Sequence, residues 1–259
     1  MNSTISDDRL PELLALVGDS DSVELKLTVA DTHHRSTADS LELDPLNAEI
    51  RQVVFFDTPD LALNRSGLVV RGRRIQGGAG DTVVKLRPVV PDQIPSNLRL
   101  SGSVAIEVDA MPGGFVCSAS MKGKSSAAAV RRVVLGASHP GSLFSKPQKA
   151  FFRQHAPEGL RMRDLAVLGP INILKLKFGP AALGRKMVAE LWLYPDGSRI
   201  LELSTKSAPG EAFQVAAEAR GFLANHGIDL GGEQQTKTKT ALEYFSSALT
   251  DEAVPVTAS

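Results

Sequence analysis

The stretch SVELKLTV (22–29) places Glu24 and Lys26 two residues apart among apolar neighbours. Five further segments repeat this alternation: LVVRGRR (68–74), TVVKLRP (82–88), VAIEVDA (104–110), INILKLKF (171–178) and ILELSTK (200–206). Because a strand turns successive side chains to opposite faces, each segment is predicted to be a strand with one charged face and one apolar face. The charged faces then either contact water or face one another around a charged cavity.

The composition limits the classes of function. The chain has 259 residues with 29 Lys plus Arg and 29 Asp plus Glu, so no overall basic field favours nucleic acid or a membrane surface. The single Cys117 excludes an intramolecular disulfide and fits a reducing compartment. No segment resembles a signal peptide or approaches the roughly 20 apolar residues of a membrane helix. We therefore expect a cytoplasmic protein with neither a nucleic-acid nor a membrane partner.

The order of strands and helices predicts the α+β class. Eight strands are expected, at about 21–30, 50–56, 68–74, 82–88, 103–110, 167–178, 186–194 and 198–206. Helices are expected at 124–135, capped by Ser125 or Ser126, at 210–227 and at 236–248. Eight mainly antiparallel strands are enough to close a barrel around one ligand. The predicted organisation is an N-terminal helix and lead-in over 1–20, a single domain over 21–248 and a disordered tail over 249–259.

If the charged faces converge, the cavity contains more bases than acids. The basic set is Lys26, Arg71, Arg73, Lys85, Arg87, Lys175, Lys177 and Lys206. The acidic set is Glu24, Glu107, Asp109, Glu190 and Glu202. Arginine pairs bind phosphate oxygens through bidentate hydrogen bonds, and carboxylates hold divalent cations such as Mg²⁺. The alternative is an open sheet with a solvated charged face, and the periodicity itself leaves both interpretations open.

The motifs occur in a familiar order. They are SVELK (22–26), FFDTPDLALNRSGLVVRGRR (55–74), TVVKLRP (82–88), IEVD (106–109), RILELSTKSAPGEAFQVAAEA (199–219) and TKTKTALEY (236–244). From about Ser22 to Phe245 this order resembles the CYTH family, the triphosphate tunnel metalloenzymes. The resemblance implies a closed eight-stranded antiparallel barrel with flanking helices. It also implies a triphosphate-bearing small molecule or inorganic polyphosphate as ligand, and Mg²⁺ or Mn²⁺ as cofactor.

The resemblance also implies roles for individual residues. Lys26 and Glu202 are the expected catalytic residues. The expected metal ligands are Glu24, Glu107, Asp109, Glu190 and Glu202. The expected substrate-binding residues are Arg71, Arg73, Lys85, Arg87, Lys175, Lys177, Lys206 and Lys239. The family contains triphosphatases and class IV adenylate cyclases.

The chain departs from the family pattern at two acidic positions. Ser22 stands where the first Glu of the opening motif is expected, and Ser204 stands where the second Glu of the late motif is expected. Because metal affinity depends on the number of charged oxygen ligands, the chain is better equipped to bind a polyphosphate than to hydrolyse it. Three functions stay open: a metal-dependent triphosphatase, a catalytically weakened nucleotide- or polyphosphate-binding module, and a class IV-type adenylate cyclase. The outward apolar faces of the strands are expected to be covered by helices of the chain or by a second subunit in a homodimer.

Overall fold

Nine strands and seven helices form within the part of the chain that the computed structural model describes, residues 10–91, 94, 102–231, 234 and 237–252. The strands are β1 (Ser22–Val29), β2 (Glu49–Asp57), β3 (Leu68–Ile75), β4 (Ala79–Leu86), β5 (Ala105–Met111), β6 (Gly114–Ser126), β7 (Ala166–Phe178), β8 (Met187–Leu193) and β9 (Arg199–Ser207). The helices are α1 (Leu10–Gly18), α2 (His34–Ser40), α3 (Ala62–Arg65), α4 (Ala127–Val134), α5 (Lys146–His155), α6 (Ala212–Asn225) and α7 (Lys237–Glu252). None of these helices is long and apolar enough to cross a bilayer.

The strands close into a mixed barrel in the order β1-β5-β6-β4-β3-β2-β7-β8-β9. The α+β class is confirmed, but the prediction of eight antiparallel strands is wrong, because β6 is a ninth strand and β1 runs parallel to β5. The two corrections are connected. A closed ring with an odd number of strands cannot alternate in direction throughout, so at least one neighbouring pair must be parallel.

The ninth strand follows a tight turn at Gly113, where the backbone takes a positive φ of 84°. β6 is built largely from small residues such as Ser118, Ala119 and Gly123, which lack the β-branched and aromatic signal of a strand. After β6, the hydroxyl of Ser126 accepts a hydrogen bond from the backbone N–H of Ala129 and caps α4. The predicted helix and its cap are therefore present, and the strand before it was missed.

The chain divides into two compact units. The first unit is Met1–Ile50, Arg87–Ser120 and Ile173–Gln235, and the second is Arg51–Leu86, Met121–Asn172 and Thr236–Ser259. The single domain over 21–248 stays a prediction. In place of the predicted tail from 249, α7 continues to Glu252, and 253–259 lie outside the described residues.

In the first unit, α6 covers the apolar face of the sheet. Leu201 and Leu203 of β9 and Leu27 of β1 pack in one core with Leu223 of α6. The buried residues of α6 recur every three or four positions, as expected for a helix with one apolar face. The apolar face of β1 and β9 was expected to be covered by a helix of the chain or by a second subunit, and here α6 of the same chain covers it. A homodimer stays a prediction.

In the second unit, β2, β3 and β4 form an antiparallel ribbon. The rings of Phe56 and Phe144 meet edge to face with their centroids 6.0 Å apart. Asp57, at the end of β2, accepts hydrogen bonds from the backbone N–H groups of Leu63 and Asn64 and so closes the turn before β3. Burial raises the pKa of the Asp57 carboxyl in spite of these bonds.

Candidate functional site

The charged side chains of the first unit share one face of its sheet. In the strand register, Glu24 of β1 lies opposite Asp109 of β5 and Lys206 of β9, and Lys26 lies opposite Ser204. Glu190 of β8 lies opposite Glu202 of β9 on the same face, since directly opposed residues point to the same side. This is the face turned away from the core under α6. The alternation of the sequence predicted this sharing correctly.

Lys26 is the most closely surrounded cation of this face. Its Nζ lies 2.9 Å from Oδ1 of Asp109 and 3.3 Å from Oε2 of Glu24. Burial by itself lowers the pKa of Lys26, but the charges of Asp109, Glu24 and Glu202 outweigh it and hold that pKa above its ordinary value. These carboxylates therefore favour the charged form of Lys26, and its single positive charge is shared by two of the predicted metal ligands.

Two further cations pair with carboxylates of β5. Lys206 Nζ donates a hydrogen bond to Oε1 of Glu107 at 2.6 Å, and Arg87 Nη1 lies 3.5 Å from Oδ2 of Asp109. Burial lowers the pKa of Lys206, but the hydrogen bond and charge of Glu107 raise it by more. Ser204 Oγ donates to Oε1 of Glu24 at 3.3 Å, so this hydroxyl supports a carboxylate where the family pattern would place another acid.

On β7 and β8 a third pair forms. Lys175 Nζ donates to Oε1 of Glu190 at 2.9 Å, and the indole N–H of Trp192 lies 3.4 Å from Oε2 of the same carboxylate. Trp192 is buried on the same side as Glu190 and fills space there. Lys177, two residues beyond Lys175, is exposed. Asp196 lies in the turn after β8, where it accepts hydrogen bonds from the backbone N–H and the hydroxyl of Ser198.

The second unit carries its own charged group on β3 and β4. Arg73 lies directly opposite Asp81, and its Nε donates to Oδ2 of Asp81 at 2.9 Å. Arg71 Nη2 lies 3.7 Å from Oδ1 of the same carboxylate, and Lys85 lies further along the same face of β4. Asp81 was missed because the predicted strand begins only at residue 82, one position after it. The signal available in the sequence was that Asp81 precedes Lys85 by four residues, which places both side chains on the same face of one strand.

Lys239 belongs to α7 of the second unit. It is on the first turn of α7, its side chain is 68% exposed, and its Nζ lies 3.8 Å from Oε1 of Glu243 one turn later. This is the geometry of a solvated helix pair, which contributes little to stability. A substrate-binding role for Lys239 stays a prediction that rests on the sequence resemblance.

The predicted metal ligands do not fit a divalent cation in this arrangement. Four of the five have a cationic nitrogen close by: Glu24 and Asp109 share Lys26, Glu107 has Lys206, and Glu190 has Lys175. Mg²⁺ is held by negatively charged oxygens, and a protonated amine at bonding distance opposes that use of them. Among the described residues, no three Asp, Glu, His or Cys side chains are grouped closely enough to hold a metal ion.

Comparisons with known proteins identify the fold. No protein-family model and no curated protein matches the sequence. A putative adenylate cyclase from Bacillus halodurans has a similar structure, with a TM-score of 0.60 and 11% sequence identity over 85% of this chain and 97% of that one. HpAC1 from Hippeastrum, a putative adenylyl cyclase described as having a dominant triphosphatase activity, gives a TM-score of 0.61 and 16% identity over 85% and 95% of the two chains. At these identities the likeness concerns the fold. The closed barrel implied by the sequence resemblance is confirmed, except that it has nine strands and is mixed rather than antiparallel.

Proposed function

We propose that this chain, which has the CYTH-type fold, binds a triphosphate or inorganic polyphosphate and does so without requiring a divalent cation. The observation that carries the proposal is the set of ion pairs on the charged face of the first unit. Lys26, Lys206 and Lys175 each contact a carboxylate there. A lysine ammonium has three donors, so each can also donate to a phosphate oxygen.

Binding of the phosphates is proposed to proceed by exchange of partners. Lys206 is the most accessible of these bases, with half of its side chain exposed. A phosphate oxygen that replaces Glu107 on Lys206 keeps the ammonium paired, at the cost of separating this lysine from the Glu107 carboxylate, whose side chain is 10% exposed. Arg87 adds a guanidinium near the same carboxylates. Arg71, Arg73, Lys85, Lys177 and Lys239 are proposed as further phosphate contacts on the strength of the sequence resemblance.

Independence from metal follows from the positions of the lysines. In a metal-dependent site the carboxylates hold Mg²⁺ or Mn²⁺, and the ion neutralises the phosphates. Here Lys26 already supplies a positive charge between Glu24 and Asp109. We propose that the charge of Lys26 takes over the role of the ion in neutralising the phosphates. Ser22 and Ser204 stand at two positions where an ion would need carboxylates.

The second candidate is a metal-dependent triphosphatase, with Lys26 and Glu202 as the catalytic residues. It is favoured by the triphosphatase activity described for HpAC1 and by Glu190 lying directly opposite Glu202 on neighbouring strands. Two opposed carboxylates repel each other, and a cation would relieve that repulsion. A class IV-type cyclase is supported only by the descriptions of the similar structures.

The proposal is tested by calorimetric titration with tripolyphosphate, alongside phosphate release from tripolyphosphate, ATP and thiamine triphosphate with Mg²⁺ or Mn²⁺. We expect saturable binding and slow release. Lys206→Ala should weaken binding about tenfold, the effect of one charge-assisted hydrogen bond. The control Arg220→Ala removes an exposed charge from α6 and should leave affinity unchanged. Absence of binding under all conditions contradicts the proposal, and fast metal-dependent release favours the second candidate.

A further inference from the structure

A cavity of about 630 Å³ lies within the second unit, between α5 and the loop that follows this helix. Its walls come from the turn at His139–Gly141 and from residues between Lys149 and Arg163. Neither segment contains a strand or any of the residues proposed to bind triphosphate. The volume lies in the range of roughly 300–1,000 Å³ that small-molecule sites occupy.

The inner wall of the cavity is apolar. Phe152 and Met162 are both buried there, and Ala156 and Leu160 complete this part of the lining. Phe152 and Ala156 are four residues apart on one side of the helix and its end, so the apolar wall follows from helical spacing. Such a wall favours the hydrocarbon part of a ligand over water.

Cations surround this apolar wall. Lys149 and Arg153 lie one turn apart on α5, and Arg161 and Arg163 approach from the loop. The lining contains one acid, Glu158. Within the described part of the chain, neither Lys149 nor Arg153 has a carboxylate in ion-pair distance, whereas Arg161 Nε donates to Oδ2 of Asp164 at 2.5 Å. Two like charges at this helical spacing repel each other, and an anion between them removes the repulsion.

We propose that this cavity binds a small organic anion with an apolar body, of the class of medium-chain acyl carboxylates. The carboxylate contacts Lys149 and Arg153, and the hydrocarbon chain packs on the apolar lining, where Ala156 and Leu160 are partly exposed. A hydrated inorganic anion would leave the apolar wall unused, and a neutral hydrocarbon would leave the two cations unneutralised. This site is separate from the proposed triphosphate site and does not depend on it.

The ligand class is tested on the full chain by calorimetry with decanoate below its micelle concentration. Acetate, which lacks the chain, and decanol, which lacks the charge, are the comparison ligands. We expect decanoate to bind at least about tenfold more tightly than either, because it alone satisfies both the cations and the apolar wall. Absence of saturable decanoate binding, or equal binding of decanol, overturns the proposal.

The position of the site is tested by substitutions along one helix. Lys149→Ala and Arg153→Ala should each weaken decanoate binding about fivefold or more, since each removes one charged hydrogen-bond donor. Lys146→Ala removes an exposed lysine of α5 that lies outside the cavity, and it should leave decanoate affinity unchanged. Tripolyphosphate affinity should be the same in all three variants. Equal effects of Lys149→Ala and Lys146→Ala on decanoate would place the ligand elsewhere and overturn the assignment.

Discussion

Lys26 lies between Glu24 and Asp109 on the charged face of the first unit, and its charge affects both carboxylates. The Asp109 side chain is 2% exposed, so its charge depends on a partner within the protein. The pKa of Lys26 is held above its ordinary value by the surrounding carboxylates, although burial opposes this. Lys26 therefore stabilises the fold, and it contacts two of the predicted metal ligands.

Lys26→Met should destabilise the protein by about 3 kcal/mol, because it leaves buried carboxylates without their nearest cation. Chemical unfolding at neutral pH measures this change. Lys206→Met is the matched control. Its pair with Glu107 is half exposed on the lysine side, so the loss should stay below about 1 kcal/mol. Equal losses in the two variants would contradict the special position of Lys26.

The contribution of Lys26 should also depend on pH in a defined direction. Its pKa is raised in the folded protein above the ordinary value of 10.5, so its stabilisation is complete below that value and is lost as pH rises through the folded pKa. The difference in unfolding free energy between the wild type and Lys26→Met should thus be constant near neutrality and shrink only in strongly alkaline solution. A difference that already closes at mildly alkaline pH would show that the pKa is not raised.

Ser22 and Ser204 lead to a third prediction at the residue scale. Ser22 lies opposite Glu107, and Ser204 donates to Glu24, so a carboxylate at either position adds an acid beside an existing one. The double substitution Ser22→Glu and Ser204→Glu should lower the melting temperature in EDTA through like-charge repulsion, and Mn²⁺ should restore it by binding the enlarged acidic group. The wild type should show no such rise with Mn²⁺. A rise in the wild type would contradict the poor fit of its acids to a metal.

At the scale of elements, β6 has a feature that sequence patterns do not reveal. Gly123 lies against Gln148 of α5, whose side-chain amide donates to the backbone carbonyls of Met121 and Thr82 at 3.1 and 3.3 Å. A Cβ at position 123 would lie 2.5 Å from Oε1 of Gln148. A side chain at position 123 would therefore have to displace the Gln148 amide that bonds the strand backbone.

Gly123→Ala should destabilise the second unit by about 1–3 kcal/mol, the usual cost of overpacking a filled interior. Gly114→Ala is a control on the same strand, because a Cβ there meets no atom within 4 Å. Thermal unfolding of both variants makes the comparison. Similar melting temperatures for the two variants would mean that Gln148 moves aside at little cost.

The sequence predicted the elements and residues whose signals are local. The alternation of charged and apolar residues is visible within each segment, so it predicted eight strands. It also placed Lys26 on one face with Glu24, and Lys206 on one face with Glu202. It did not predict that Lys206 pairs with Glu107 or Lys175 with Glu190. These pairings depend on the register between separate strands, which is set by packing and by turns. β6 was missed for a related reason, since its small residues are placed by neighbours and not by propensity.

For the whole molecule, the pairing of acids with bases on one face matters more for the proposed binding of a polyanion than the net charge does. The chain carries 29 basic and 29 acidic residues, and on the charged face of the first unit the predicted bases and acids are also equal in number, five of each. The proposed affinity for a polyanion must therefore come from exchange of close ion pairs and not from a general basic field. Such affinity should fall as salt screens the phosphate charges.

The central claim is that triphosphate binding needs no divalent cation, and one calorimetric titration tests it most directly. Tripolyphosphate is titrated into the protein in EDTA and again with excess Mg²⁺, at the same ionic strength. The account predicts saturable binding in EDTA, with an affinity within about threefold of the value in Mg²⁺ once complexation of Mg²⁺ by the ligand is included. Binding that appears only with Mg²⁺ would contradict it and would assign the neutralising role to a metal ion rather than to Lys26.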